Sequence, residues 1–501
     1  MEQVKKVRPT LKLLRAAPLA GLVLAMMAGN SAQALPIFAR QTGMACLSCH
    51  TVYPELTHFG RMFKLNGYQL DNLKDIQVTT DDGELMLSLP PIPGWALFVQ
   101  SDYTVLKKPL PDSQIPNATS QSSQVGFPQQ VSLLWGGKIA PHFGAFAQLT
   151  YGYGSGTINI DNTDMRFANN FILPDKKKLT YGLSLNNSPG LQDLYNTTAS
   201  FGFPYVLPGN AGVGLGGAGF SAPQLQAALA YKVVGLTGYV MWNEELYGEL
   251  GFYHHSPQGQ LGNPITKVSG PLDSQSQGVL ANNAPYLRIA YEKDIDAFAL
   301  EVGTQIANFK LFPGAGTVGA LPADSPGALG GPTNDYKDVS FDTQLQYVGE
   351  NHIGEFHVTH IHESITNGAG FAAGGTANPT DSLNFLEVDA TYYYKRKIGA
   401  SLALVNTSGS ADAGLYPGAA GGPTLGAVVG GTPLGVVTSA ANKPDTNSYI
   451  AEVNYLPWLN VKLTAQYTHY TKFNGGSTNY DGAGRNASDN DTMYLNMWFA
   501  F

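Results

Sequence analysis

The 501-residue chain contains only two cysteines, Cys46 and Cys49. That excludes a disulfide framework and a four-cysteine zinc site. Charged residues make up 13% of the chain, against about 25% in ordinary soluble domains. Beyond the N-terminus no apolar run reaches 18 residues, so no membrane-spanning helix is predicted there. The formal net charge of −8 argues against nucleic acid as a partner. No Ser-His-Asp order, nucleophile elbow, P-loop or paired-carboxylate motif stands out.

Glycine and tyrosine are plentiful, with 58 Gly and 26 Tyr, a composition that suits a transmembrane β-barrel. Residues 1–34 read as a secretory signal. Lys5, Lys6, Arg8, Lys12 and Arg15 form its positive region, Ala16 to Ala28 its apolar stretch, and Ala32-Gln33-Ala34 the small-x-small cleavage site. Its removal takes the formal charge from −8 to −12.

The two cysteines fall in Cys46-Leu47-Ser48-Cys49-His50. Cys-x-x-Cys-His is the attachment signature of a c-type haem: both thiols become thioethers on one porphyrin edge, and the histidine ligates the iron. A redox disulfide followed by an unrelated histidine is the plainer reading, but the chain has no other cysteine and the histidine is in register. Residues 35–89 are expected to form a small α-helical monohaem cytochrome c domain. Leu56, Phe59 and Phe63 recur at helical spacing within 51–70, and Asn66-Gly67 supplies a stop. So short a domain cannot build a large core; haem and an enclosing surface must complete it.

The second axial ligand is open. On one continuous helix from His50, His58 and Met62 would lie about 12 and 18 Å along the axis, too far to reach the same iron. Met44 is tethered on the proximal side. Met86 has enough intervening chain to wrap round the ring and is the candidate distal ligand; an open or water-ligated iron is the alternative.

Pro90-Pro91-Ile92-Pro93-Gly94 reads as a hinge, and residues 90–501 as an outer-membrane barrel. Segments of about ten residues alternate in polarity. Met493, Leu495, Met497, Phe499 and Phe501 oppose Thr492, Tyr494 and Asn496; Val461, Leu463, Ala465 and Tyr467 oppose Lys462, Thr464, Gln466 and Thr468. About sixteen such strands are expected, once 224–233 and 236–243 are merged into one. They are joined alternately by short turns and by long loops rich in Gly, Ala and Pro, as in porins. A β-sandwich would alternate in the same way; the loop pattern and the terminal Phe501 favour the all-β, antiparallel barrel. His357 and His360 differ in strand parity, so the histidines of 352–362 are read as structural or loop-facing rather than as a metal set. Glu387, Asp389 and Asp342 are read as lumenal acids that tune a pore.

The stretch Pro36 to Gly43 with the haem motif, then Tyr53-Pro54-Glu55-Leu56, Phe59-Gly60-Arg61 and Lys64 to Tyr68, resembles the fused monohaem cytochrome–porin family of outer-membrane iron oxidases. Ile160 to Asp164, Leu185 to Pro189, Gln192-Asp193 and Phe203-Pro204-Tyr205 resemble barrel segments of the same family. The resemblance implies one covalent haem c on Cys46, Cys49 and His50, held on the periplasmic side or within the barrel lumen. It also implies electron flow from extracellular Fe(II) inward to a periplasmic cytochrome or other carrier, in a barrel surrounded by outer-membrane lipid. It carries over no distal ligand. A porin whose cytochrome acts as plug or sensor, and outward electron transfer to extracellular acceptors, are the alternative functions.

Overall fold

The structure is a computed structural model. It describes residues 36–70, 75–80, 82–83, 85–90, 94–109, 122–152, 157–198, 201, 221–229, 233–255, 279–312, 331–416 and 439–501. The signal reading for 1–34, the hinge residues 91–93 and Phe203 to Tyr205 lie outside them.

Sixteen antiparallel strands close into one barrel, from Trp95–Leu106 to Thr492–Ala500. Each strand pairs with its sequence neighbour, and the last pairs with the first (Ala500 opposite Phe98). A two-residue strand, Val279–Leu280, pairs with the Leu311–Phe312 end of the strand Phe298–Phe312, beyond the sixteen. The expected strands are all present, with one correction. The strand expected over 224–243 begins only at Val233, and Gln224–Ala228 instead forms a π-helical turn inside the barrel. Its backbone is held there by acids of the wall. Gln224 N–H donates to Glu363 and Leu225 N–H to Asp338, so strand-like polarity loses to two backbone bonds to side-chain carboxyls.

The alternation runs in the sense opposite to that of a soluble protein. Leu402, Val453, Phe341, Leu236 and Leu250 face outward and are exposed, whereas Gln344, Gln346, Glu387, Glu452 and Gln466 point inward and are buried. Closure removes every unpaired edge, and the apolar outside suits a lipid surround. Near the short-turn end, outward aromatics sit together: Phe298 against Tyr347, Phe171 against Tyr181, and Phe499 against Phe501. Such a girdle belongs at a membrane–water interface. Both ends of the barrel chain, at Trp95 and Ala500, emerge on this side.

A barrel of this size would otherwise enclose a water channel. Here residues 36–70 enter it. The expected separate helical domain is reduced to two short helices, α1 (Pro36–Thr42) and α2 (His58–Leu65), with one 3-10 turn at Cys46–Ser48. The wall supplies the contacts the segment lacks. Arg61 pairs with Glu292, both fully buried, and donates to Gln346 Oε1 at 3.2 Å. Tyr68 donates to Asp164 at 2.5 Å, and Tyr239 donates to the Leu65 carbonyl at 2.6 Å. A Cβ on Gly144 of the wall would run into the carbonyl of Gly67, so the plug seats by direct backbone approach. Gly67 itself has φ +70°, the left-handed stop expected after Asn66. The rest of the expected domain, Ile76–Thr79 and Leu85–Leu89, is a β-hairpin, anchored to the wall by Lys138 through Asp75 and Ser88.

His58 ties the head of α2 to Glu244, Glu292 and Asp294 of the wall. Burial alone would lower its pKa, but the hydrogen bonds from Glu244 and Glu292 carry it up to about 9. A raised histidine stabilises the fold below its ordinary pKa and loses that contribution as pH climbs through the folded value. The melting temperature of the wild type should therefore exceed that of His58→Gln most at pH 6, with the difference fading to nothing above pH about 9. A difference independent of pH would remove the charge from this contact.

Candidate haem pocket and adjoining carboxylate cluster

The haem motif forms a compact turn. The N–H groups of Cys49 and His50 both donate to the Cys46 carbonyl, at 3.0 and 2.8 Å. The helix expected over 51–70 starts only at His58. Residues 51–57 instead loop back around His50, and Thr57 both caps α2 through Gly60 N–H and donates to the Ser48 carbonyl at 2.7 Å. Turn and helix are pressed together, because a Cβ on Gly60 would meet the Cys49 carbonyl.

The loop fixes the imidazole. His50 Nδ1 lies 3.2 Å from the carbonyls of both Pro54 and Glu55. Two carbonyl acceptors select the tautomer with the proton on Nδ1, which leaves Nε2 as the free ligand atom. Burial lowers the His50 pKa, outweighing those two hydrogen bonds, so the ring is neutral, as iron ligation requires. Burial, reinforced by Cys46, pushes the Cys49 thiol up to about 11.

Cys46, Cys49 and His50 open into a cavity between plug and wall. Its walls are mostly apolar and come from both plug and barrel: Phe38, Phe63, Phe146, Phe201, Tyr393 and Trp498 among them. Rings line it nearly continuously. Phe38 stacks on Tyr68 at 5.5 Å, Phe146 meets Phe201 at 5.7 Å, and Tyr53 lies 5.4 Å from His50 and 5.9 Å from Trp498. Arg396 and Leu459 of the short turns also border it, so the cavity sits toward the short-turn mouth. Two thiols, an oriented neutral imidazole and an aromatic envelope are a donor set and cavity that fit a c-type haem.

The structure does not bring Met86 to this cavity. It lies on the hairpin 65% exposed, because the hairpin attaches to the wall through Asp75 and Ser88 and leaves Met86 outside. α2 is continuous, and neither of its candidates reaches the cavity. Met62 packs with Leu65, Leu194 and Tyr239, and His58 is taken by acids. Met44 does line the cavity.

The parity argument holds for the histidine-bearing strand, His352–Thr366: His357 faces inward, His360 and His362 outward. Strand parity alone could not give His357 its neighbours. They are Glu55 of the plug, Glu355 two residues away, and Asp389 directly across on the next strand. Glu55 is fully buried, and burial raises its pKa well above the usual carboxylate value despite the opposing pull of His357. Glu387 and Asp342 also face inward, where Asp342 is engaged by Arg288.

No protein-family model matches the chain, and no curated protein sequence matches it. Among solved structures the chain is similar to a loop-deletion mutant of the outer membrane protein OmpT of Vibrio cholerae, with 10% identity, a TM-score of 0.42, and coverage of 81% of this chain and 98% of that one. It is also similar to the outer membrane channel DcaP of Acinetobacter baumannii (11% identity, TM-score 0.40, 81% and 96%) and to OmpF of Salmonella typhi in complex with daunomycin (11%, 0.40, 85% and 100%).

Proposed function

We propose that the chain is an outer-membrane electron conduit, which takes electrons from extracellular Fe(II) and delivers them through one c-type haem to a periplasmic carrier. The observation that carries this reading is the placement of Cys46, Cys49 and His50 inside the barrel lumen, facing an aromatic cavity. Lipid about 30 Å thick is an insulator, and a redox group held within the wall shortens the gap on each side. Bound at this cavity, a c-type haem supplies one reversible one-electron site.

The protein's own residues set the conditions. Cys46 and Cys49 would hold the group covalently, and Pro54 and Glu55 aim His50. The rings of Phe38, Phe63, Phe146 and Trp498 exclude water, which tunes the potential. The cavity opens beside the short turns and both ends of the barrel chain, so a periplasmic carrier would dock there.

A second reading, a porin with a cytochrome plug, is favoured by the closed sixteen-stranded wall with its polar lumen. Anaerobic Fe(II) added to the purified protein separates the two. A conduit shifts the haem absorbance to the reduced spectrum at one electron per chain. An unshifted spectrum, together with rapid solute efflux from liposomes carrying the protein, would establish the porin.

A further inference from the structure

We infer that the lumen holds a divalent-cation site formed by Glu55, Glu355 and His357 and oriented by Asp389, placed on the long-loop side of the haem cavity. One potential ligand atom from each of the first three residues falls within 4.8 Å of the other two. His357 Nε2 is 3.9 Å from Glu55 Oε2 and 3.6 Å from Glu355 Oε1. Ligand atoms about 2.1 Å from one ion lie about 3.0–4.2 Å apart, depending on their angle, so these separations match ligands of one ion once Gln344 has moved off them.

Three observations point to a ligand rather than to a closed polar network. First, Glu55 Oε2 and Asp389 Oδ1 are buried and have no hydrogen-bond partner among the described residues. Second, three buried carboxylates surround one imidazole, and among the described residues no lysine or arginine pairs with them. Together they turn carboxyl oxygens and one ring nitrogen, the donor types of a divalent-cation site, toward one point. Among the described residues the second such donor group, His58 with Glu292 and Asp294, already has a cation in Arg61. Third, the ligands are braced. Glu355 accepts from Gln346 and Thr51 at 2.6 and 2.8 Å, and Asn196 donates to Glu55 Oε1 at 2.6 Å.

Asp389 Oδ2 stands 3.5 Å from His357 Nδ1. A carboxylate on that side orients the ring and leaves Nε2 toward Glu55 and Glu355, the arrangement common behind histidine metal ligands. Gln344 Nε2 contacts the same Nε2 and would swing aside as an ion enters. Carboxylates with one imidazole suit borderline-hard divalent ions such as Mn(II), Fe(II) or Zn(II).

Position gives the site its role. Ile353, Glu355 and His357 face inward along one strand; Ile353 lines the haem cavity, and His357 lies about 13 Å further toward the long loops. Glu55 joins the two sites, since its carbonyl accepts from His50 and its side chain faces His357. The site is where a donor cation would wait beside the haem, a role that rests on the conduit reading; cation binding itself does not.

Mn(II) tests the binding alone. With the purified full-length protein, Mn(II) titrated under electron paramagnetic resonance should lose its free signal up to one ion per chain. In Glu355→Gln/His357→Gln, and separately in Asp389→Asn, that binding should weaken at least tenfold, with heat-modifiable gel mobility confirming an intact barrel. Saturable binding that survives both variants, or no binding to the wild type, would overturn the site. Neither result bears on haem reduction by Fe(II), whose failure would instead sink the conduit and leave the cation site standing.

Discussion

Cys46→Ser/Cys49→Ser should abolish covalent haem and leave the barrel assembled. Haem per chain is expected to fall from about one to about none, read by haem-stained denaturing gels and intact mass. The barrel should persist because its strands pair only with one another, closing through Thr492–Ala500 on Trp95–Leu106. The plug should stay seated as well, since Arg61, Tyr68 and the Leu65 carbonyl bind the wall independently of the thiols. The cavity, however, would lose its filling, and an unfilled apolar space destabilises its lining. A lower melting temperature with unchanged heat-modifiable mobility is the expected pattern. A variant that retains covalent haem would refute the assignment of Cys46 and Cys49.

The second large effect is expected at Arg61. Its guanidinium pairs with Glu292, donates to Gln346 and the Leu56 carbonyl, and lies 5.2 Å over the Tyr195 ring. Arg61→Met leaves the buried Glu292 carboxylate with only His58 and Tyr195 as partners, which should weaken plug seating by up to about 3 kcal/mol. Because the plug fills a lumen otherwise wide enough to conduct, release should appear as raised single-channel conductance in planar bilayers and faster proteolysis within residues 36–70. Adding Glu292→Leu removes the under-paired charge and should recover part of the loss. Conductance unchanged in Arg61→Met would show that other contacts suffice to hold the plug.

The barrel was legible because period-2 alternation reports a face residue by residue. Met493 and Leu463 outward, Gln466 and Asn496 inward, follow from parity alone. The exception, Gln224–Ala228, had the right alternation but met Asp338 and Glu363 from strands more than a hundred residues away, which no local pattern records. The turn at Cys46–His50 was legible because its spacing is local. The loop that aims His50 was not: Thr51 to Leu65 carries a helical period, yet Pro54 and Glu55 turn back onto the imidazole. Met86 failed as a distal candidate for the same reason; chain length allowed it to reach the cavity, but pairing within its own hairpin held it outside. The cluster around His357 joins the plug to two neighbouring strands, and only closure of the barrel on its N-terminal segment brings Glu55 there.

The most direct measurement is electron transfer across a sealed membrane. Proteoliposomes carrying the protein, with oxidised soluble cytochrome c enclosed and Fe(II) outside, should reduce the enclosed cytochrome, while liposomes carrying Cys46→Ser/Cys49→Ser should not. No reduction beyond that variant's rate, in vesicles whose protein holds its full complement of haem, would contradict the conduit.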